Sequence, residues 1–368
     1  MHVLVVAERV DAALDAASVG GAVAAGWGES APWDAVQVLQ QWNAEPGFLT
    51  TLADVLGGVT HVVTTSDPLG RPTPARIHLV ASEGGRMAYL DAGDVLGGHL
   101  VAPADRDPVG ASSAGGGRLI AAAMDLGATR VVVGVGSSLV TDGGVGLLAA
   151  LAGVPESWAP DALVGTLADA RSRTAATQLV LWTDDLTPLL GLQGTSATWG
   201  GDRGADPATA QLLENRMGAW VDAVRRDRPE PLDLLSGKPI RLDRTPGAGA
   251  GGGVGYGLLL LGARPESAVA AAAEVVGLRG AIEACDLVVS ACPRVDWAVM
   301  SGSVVSHAAA VAAEYAVPAV AISPVVQVGR RELMAMGLSG SYQVDGPGGQ
   351  DWRERAARVA VTWSRRRA

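Results

Sequence analysis

Residues 112–146, SSAGGGRLIAAAMDLGATRVVVGVGSSLVTDGGVG, constrain the fold more than any other stretch of the chain. They open on Gly115, Gly116 and Gly117 and continue into a segment where Leu119, Ile120, Ala123 and Leu126 recur near the helical period. Gly127 ends that helix, because glycine accepts the left-handed backbone of a helix C-terminus. Val131, Val132, Val133 and Val135 then form a short apolar run, suited to a strand buried on both faces. The run stops at Gly136, Ser137 and Ser138, and Thr141-Asp142-Gly143-Gly144 leads into another helix. A small polar loop at the carboxyl end of a buried parallel strand is where open α/β folds place ligands. Backbone N–H groups at a helix start can face an anion there. The same glycines also fit plain tight turns, so both readings stand at this point.

The alternation extends over the whole chain. Apolar runs at 3–7, 60–65, 179–182, 287–291 and 319–322 read as strands, and 77–81 with 87–90 as a hairpin around 82–86. Helical patterns cover 12–25, 34–56 with a break at Pro46-Gly47, 162–173, 207–226, 267–283, 306–315, 330–336 and 352–363. A second glycine block, PGAGAGGGVGYG at 246–257, runs into a helix at 258–261 and lets backbone approach backbone or ligand closely. The class is α/β with mostly parallel sheets, and 368 residues suffice for two domains.

A net charge of −10 argues against a nucleic-acid or anionic-membrane surface. The chain starts at once on a strand without a basic leader, which reads as cytoplasmic. Cys285 and Cys292 match no zinc spacing. Of 28 basic residues only Lys238 is a lysine, so chemistry that directs a lysine at phosphate has one candidate. The arginines at 365–367 read as a solvated helix end.

The two glycine blocks, together with DPLGRP at 67–72 and VPAVAI at 317–322, resemble the glycerate kinase family, which makes phosphoglycerate from glycerate and ATP. The resemblance runs nearly end to end. It implies two α/β domains, the second inserted into the first, with 1–75 plus 285–368 as one, 76–284 as the other, and a ligand cleft between them. It also implies ATP and Mg²⁺ as cofactors if the chain is active, and a small anionic partner, glycerate-like or a nucleotide. A homodimer is left open.

The chain departs from the family at its charged loops. Where the family has D-S-F-K-G after the first strand, this chain has Glu8-Arg9-Val10-Asp11-Ala12, with an acid in place of the lysine. D-G-G-E-G-T becomes Asn43-Ala44-Glu45-Pro46-Gly47-Phe48, and G-P-Q-K-G becomes Gly200-Gly201-Asp202-Arg203-Gly204. In the last motif, G-E-G-R-x-D-x-Q-T-x-x-G-K, Arg294, Asp296 and Gly302 remain, while Ala298, Val299 and Ser303 replace glutamine, threonine and lysine.

The resemblance makes Asp296 the candidate acceptor of the substrate hydroxyl proton, with Arg294 beside it; an ion pair between the two is the structural alternative. Substrate or phosphate binding would fall to Ser112, Ser113, Gly115, Gly116, Ser137, Asp142, Gly143, Gly144, Arg203, Gly249, Gly251, Gly252 and Gly253, and Asp142 could instead cap a helix. Glu8 with Asp11 is the candidate metal pair, since hard oxygen ligands suit Mg²⁺. Phosphoryl transfer needs in-line positioning and cations over the moving charge. Loss of the lysine-bearing loops therefore points to an impaired or silent member that keeps a small-anion or partner-binding cleft. The alternative is an active kinase of glycerate or another small hydroxy acid, with arginines in place of lysines.

Overall fold

Period-two alternation of apolar side chains builds the first sheet. Leu4 and Val6 enter one buried cluster while Val3, Val5 and Ala7 enter another, and Val288 opposes Leu287, Val289 and Ala291 in the same way. A strand that buries both of its faces belongs inside a parallel sheet covered on both sides. The computed structural model describes residues 1–228, 232, 235, 237, 239–299, 302–346 and 348–364. Lys238 and the arginines at 365–367 lie outside them.

The strands are β1 (His2–Ala7), β2 (Ala35–Gln40), β3 (Val59–Ser66), β4 (Pro72–Ser82), β5 (Gly85–Asp91), β6 (Ala128–Gly134), β7 (Gln178–Trp182), β8 (Arg264–Glu266), β9 (Leu287–Ala291), β10 (Ala319–Ser323) and β11 (Gly340–Gln343). The chain divides into two compact units, Met1–Asn43 with Ser267–Ala368, and Ala44–Glu266. The first holds a wholly parallel sheet in the order β11-β10-β9-β1-β2. The second holds the order β3-β4-β5-β6-β7-β8, antiparallel from β3 to β5 and parallel from there on. Mixed α/β architecture with mostly parallel sheets is what the alternation predicts.

The divisions fall elsewhere than 75/76 and 284/285. β3 pairs with β4 along its whole length, from Val59 opposite Leu79 to Ser66 opposite Pro72, so residues 59–75 cannot be parted from the remainder of β4. At the other end, the helices Ala268–Val275 and Leu278–Glu283 place Val269, Ala273, Leu278 and Ile282 in one cluster with Leu4 and Val6.

One element differs in type. The helical pattern expected over 34–56 resolves into the parallel strand β2 and the helix Phe48–Leu56. The run AVQVLQ repeats two apolar residues and one polar rather than alternating strictly, and pairing with β1 prevails over its helical reading.

The hairpin of β4 and β5 forms as expected. Among the described residues, no helix is long and apolar enough to cross a membrane.

Candidate functional site

In the unit Ala44–Glu266 the three glycines of the opening motif lie inside the helix Ala114–Asp125. A side chain on Gly115 would collide with the Ser66 carbonyl, and one on Gly117 with the Leu147 carbonyl. The outer two glycines therefore let the helix approach β3 and the helix Val145–Ala152 backbone to backbone. Gly116 meets nothing closer than 3.7 Å.

Asp142 is 2% exposed and joins these elements. Its Oδ2 accepts from Ser113 N at 2.7 Å, Ser113 Oγ at 2.7 Å and Gly146 N at 3.1 Å; its Oδ1 accepts from Gly144 N at 3.0 Å. Burial pushes its pKa up, and these bonds pull the other way. The helix that follows is Val145–Ala152 with Gly144 as its N-cap, and Asp142, two residues ahead of that cap, accepts from Gly146 N in its first turn. Ser113 Oγ in turn accepts from Leu147 N at 2.9 Å, and Ser112 Oγ donates to Glu156 Oε2 at 2.6 Å.

The second glycine block closes onto the same loop. Gly251, Gly252 and Gly253 have φ of 58°, 71° and 95° inside the helix Ala250–Leu260, a left-handed run that favours glycine. A Cβ on Gly252 would strike the Val140 carbonyl, one on Gly253 would lie 2.5 Å from Gly143 Cα, and one on Gly251 2.6 Å from Val135 Cγ1. A Cβ on Gly249 would strike the Pro188 carbonyl, and one on Gly144 would lie 2.7 Å from Gly257 Cα. Gly143 N donates to Gly252 O at 3.1 Å. What occupies the space beside these glycines is the protein itself: backbone at Gly144, Gly249, Gly252 and Gly253, and the Val135 side chain at Gly251.

Arg203 is 4% exposed. Its Nε donates to Ser138 O at 3.1 Å, and its Nη1 to Thr195 Oγ1 at 2.9 Å and Thr141 Oγ1 at 3.3 Å. Burial pushes its pKa down to about 10.

Ser137, just past β6, holds a partner that the sequence did not reveal. Its Oγ donates to Glu45 Oε2 at 2.6 Å and its N–H at 3.3 Å. A Cβ on Gly136 would lie 2.6 Å from Ala44 O, so glycine is needed for this approach. Gly47 N donates to Asp91 Oδ2 at 2.6 Å and Gly93 N to Asp91 Oδ1 at 2.8 Å. The segment 44–47 thus crosses the carboxyl ends of β5 and β6. Asp91 is fully buried, and burial, aided by the charge of Asp94, pushes its pKa up to about 7. The sequence signals were an acid directly after a buried strand and an acid in a family glycine position.

In the other unit, β1 connects to β2 on one side while β9 flanks β1 on the other. This reversal of strand order makes the carboxyl ends of β1 and β9 a topological switch point, the place where such sheets bind ligands. Glu8 follows β1, is 6% exposed, and accepts from Asn43 Nδ2 at 3.3 Å. Cys292 follows β9; burial, then the Glu8 charge, holds its thiol well above the usual range. Its Sγ donates to Arg294 O at 3.5 Å. Arg294 Nε donates to Asp296 Oδ2 at 2.6 Å, and Nη2 pairs with the same oxygen. The ion-pair alternative is therefore formed, with Asp296 5% exposed.

Asp11 Oδ1 accepts from Ala13 N at 2.7 Å and Leu14 N at 2.9 Å, closing its own turn. Ser303, in the place of a family lysine, accepts from Ser306 N at 3.2 Å and caps the helix Val304–Glu314.

Two α/β units, the first doubly wound and the second wound in one direction from β5 to β8, each place polar loops at the carboxyl edge of parallel strands, where such sheets bind ligands. The chain belongs to the glycerate kinase family, whose model matches residues 3–352. It is 34% identical over 346 residues to the uncharacterized protein Mb2228c of Mycobacterium bovis, covering 94% of this chain and 84% of that one. It is 28% identical over 341 residues to the glycerate 2-kinase of Escherichia coli K12, covering 88% and 85%. Against the glycerate kinase of Bacillus subtilis 168 the identity is 27% over 335 residues, covering 88% and 85%. A crystal structure described as that of a proposed glycerate kinase 2 from Salmonella typhimurium LT2 matches with a TM-score of 0.75 at 24% identity, covering 98% of each chain. That likeness establishes the shared fold.

Proposed function

We propose that this chain keeps the glycerate kinase scaffold while its transfer of phosphate from ATP to glycerate is impaired or silent. The observation that carries the reading is the environment of Arg203. This arginine stands where the family has a lysine, yet its guanidinium is buried and donates to Ser138, Thr141 and Thr195 of the chain itself. A cation held this way is not presented to a moving phosphoryl group, whose charge must be neutralised in flight. Arg294 is paired with Asp296, and Asp11 closes a turn where the family has a lysine.

Mg²⁺ and ATP accompany the family reaction. Among the described residues, no three acidic, histidine or cysteine side chains gather into a group that could hold a metal ion. The turn around Asp11 also ties up one of its oxygens, so the Glu8 and Asp11 pair does not make a cradle.

The test is a coupled ADP-release assay with glycerate, ATP and Mg²⁺. Turnover is expected to fall below the range of about 1–100 s⁻¹ typical of kinases. Robust turnover that Asp296→Ala abolishes would refute the proposal in favour of an active enzyme relying on arginines.

Retained binding of a small anion is the second part of the proposal; at the loop after β6 such an anion would have to displace the Glu45 carboxylate from the Ser137 donors. Thermal shift with ATP, ADP, glycerate and phosphoglycerate reads this directly, since a ligand selective for the native state raises the melting point. No shift with any of the four counts against it.

A further inference from the structure

Within residues 44–48 of the unit Ala44–Glu266, Glu45 is exposed while its neighbours are pinned. Ala44 and Phe48 are buried. A Cβ on Gly136 would lie 2.6 Å from Ala44 O, and one on Gly134 would strike the Phe48 ring. Gly47 N donates to Asp91 Oδ2 at 2.6 Å. Phe48 N donates to Glu45 O at 3.3 Å and closes a turn, with Pro46 at its second position and Gly47, at φ 96°, at its third. Those are the residues that a type II turn selects. None of these contacts uses the Glu45 side chain.

The turn presents the Glu45 carboxylate to two donors at the carboxyl end of β6, Ser137 Oγ at 2.6 Å and Ser137 N at 3.3 Å. Both side chains are exposed. Water screens such a contact, and the carboxylate can leave it by rotating its own side chain while the backbone stays in place. A tethered group competes with a free ligand as if present at about millimolar concentration. Where the D-G-G-E-G-T pattern has glycine, position 45 of this chain carries that competitor.

We propose that Glu45 is a built-in occupant of the loop after β6. Its carboxylate fills the Ser137 donors in the resting chain, and a small carboxylate ligand of the hydroxy-acid class takes those donors only by displacing it. This occupancy rests on the proposed retention of small-anion binding and adds how the chain restrains it. Removing the Glu45 charge frees the donors and ends its repulsion of an incoming anion, and both effects favour the ligand.

The test is titration calorimetry of the full chain with glycerate at fixed pH and ionic strength, together with the amide NMR spectrum of the ligand-free protein. Glu45→Ala and Glu45→Gln are expected to bind glycerate about tenfold more tightly than the wild type. Adding Ser137→Ala to Glu45→Ala is expected to abolish that gain. Before any ligand is added, the Ser137 amide proton should move upfield in Glu45→Gln, because an uncharged acceptor makes the weaker hydrogen bond. Equal affinity in the wild type and both Glu45 variants overturns the inference and leaves the anion-binding reading standing. A gain that persists without the Ser137 hydroxyl, or a Ser137 amide indifferent to Glu45→Gln, overturns it as well. No binding of glycerate by any of these proteins, with the amide responding, overturns the anion-binding reading and with it the restraint.

Discussion

The loop after β6 and the loops after β1 and β9 occupy comparable places, each at the carboxyl end of parallel strands. They are held by different forces. The first is locked by backbone contact, with glycines from two distant blocks pressed together and one buried carboxylate gathering four donors. The others are held by short-range polar contacts near solvent, the Asp11 turn and the Arg294–Asp296 pair. Glycine motifs that look like ligand-binding loops can thus be demands of packing, while charged motifs are free to change without loss of fold.

The contrast can be broken most sharply at Gly252. Gly252→Ala places a Cβ on the Val140 carbonyl at a left-handed φ of 71°, and should cost about 4 kcal/mol or more, or abolish folding. Gly153→Ala serves as a control, because its φ is similar at 72° but open space surrounds it. It should cost about 1–2 kcal/mol. Equal losses in urea melts of the two variants would contradict the packing account.

Asp142→Ala leaves two backbone donors, Gly144 N and Gly146 N, and the Ser113 pair without their acceptor. A loss of about 3 kcal/mol is expected, read from the chemical unfolding midpoint.

Asp91 gives a pH signature. Its folded-state pKa, pushed up to about 7, exceeds the ordinary value of 3.8, so the native state binds the proton more tightly than the unfolded chain. The stability this group contributes is full below pH 3.8 and is lost as the pH rises through about 7. Asp91→Asn should remove a slope of at most about 1.4 kcal/mol per pH unit across that window. The measurement is the difference between wild-type and variant stability against pH; a flat difference would count against it.

At the gentle end, Gly116→Ala should stabilise by about 0.5–1 kcal/mol, because the site is a helix interior with room for a methyl. The same change at Gly115 or Gly117 should destabilise. Asp296→Asn should alter stability by no more than about 1 kcal/mol, since the Arg294 side chain is 53% exposed and solvent screens the pair. A large loss of turnover in that variant would instead place the charged loops in a working active site.

Much of the fold was legible in the residues. The valine run at 131–135, the stop at Gly127 and the hairpin of β4 with β5 follow from period and turn chemistry that act over a few residues. β2 was not legible, because its six residues carry too short a pattern to outweigh a helical neighbourhood. Its pairing with β1 decided the matter. The role of Glu45 was also out of reach, since its contact with Ser137 spans 92 positions.

By itself, the sequence determined the class of fold and the change of charge in the loops that mark the family, because local period and residue identity carry both. Only the tertiary structure decided which glycines serve backbone packing, that Arg203 is enclosed and that Asp142 gathers four donors from Ser113, Gly144 and Gly146. Each of these depends on groups far apart in the chain arriving at one place, where the absence of water makes a misplaced atom or charge costly.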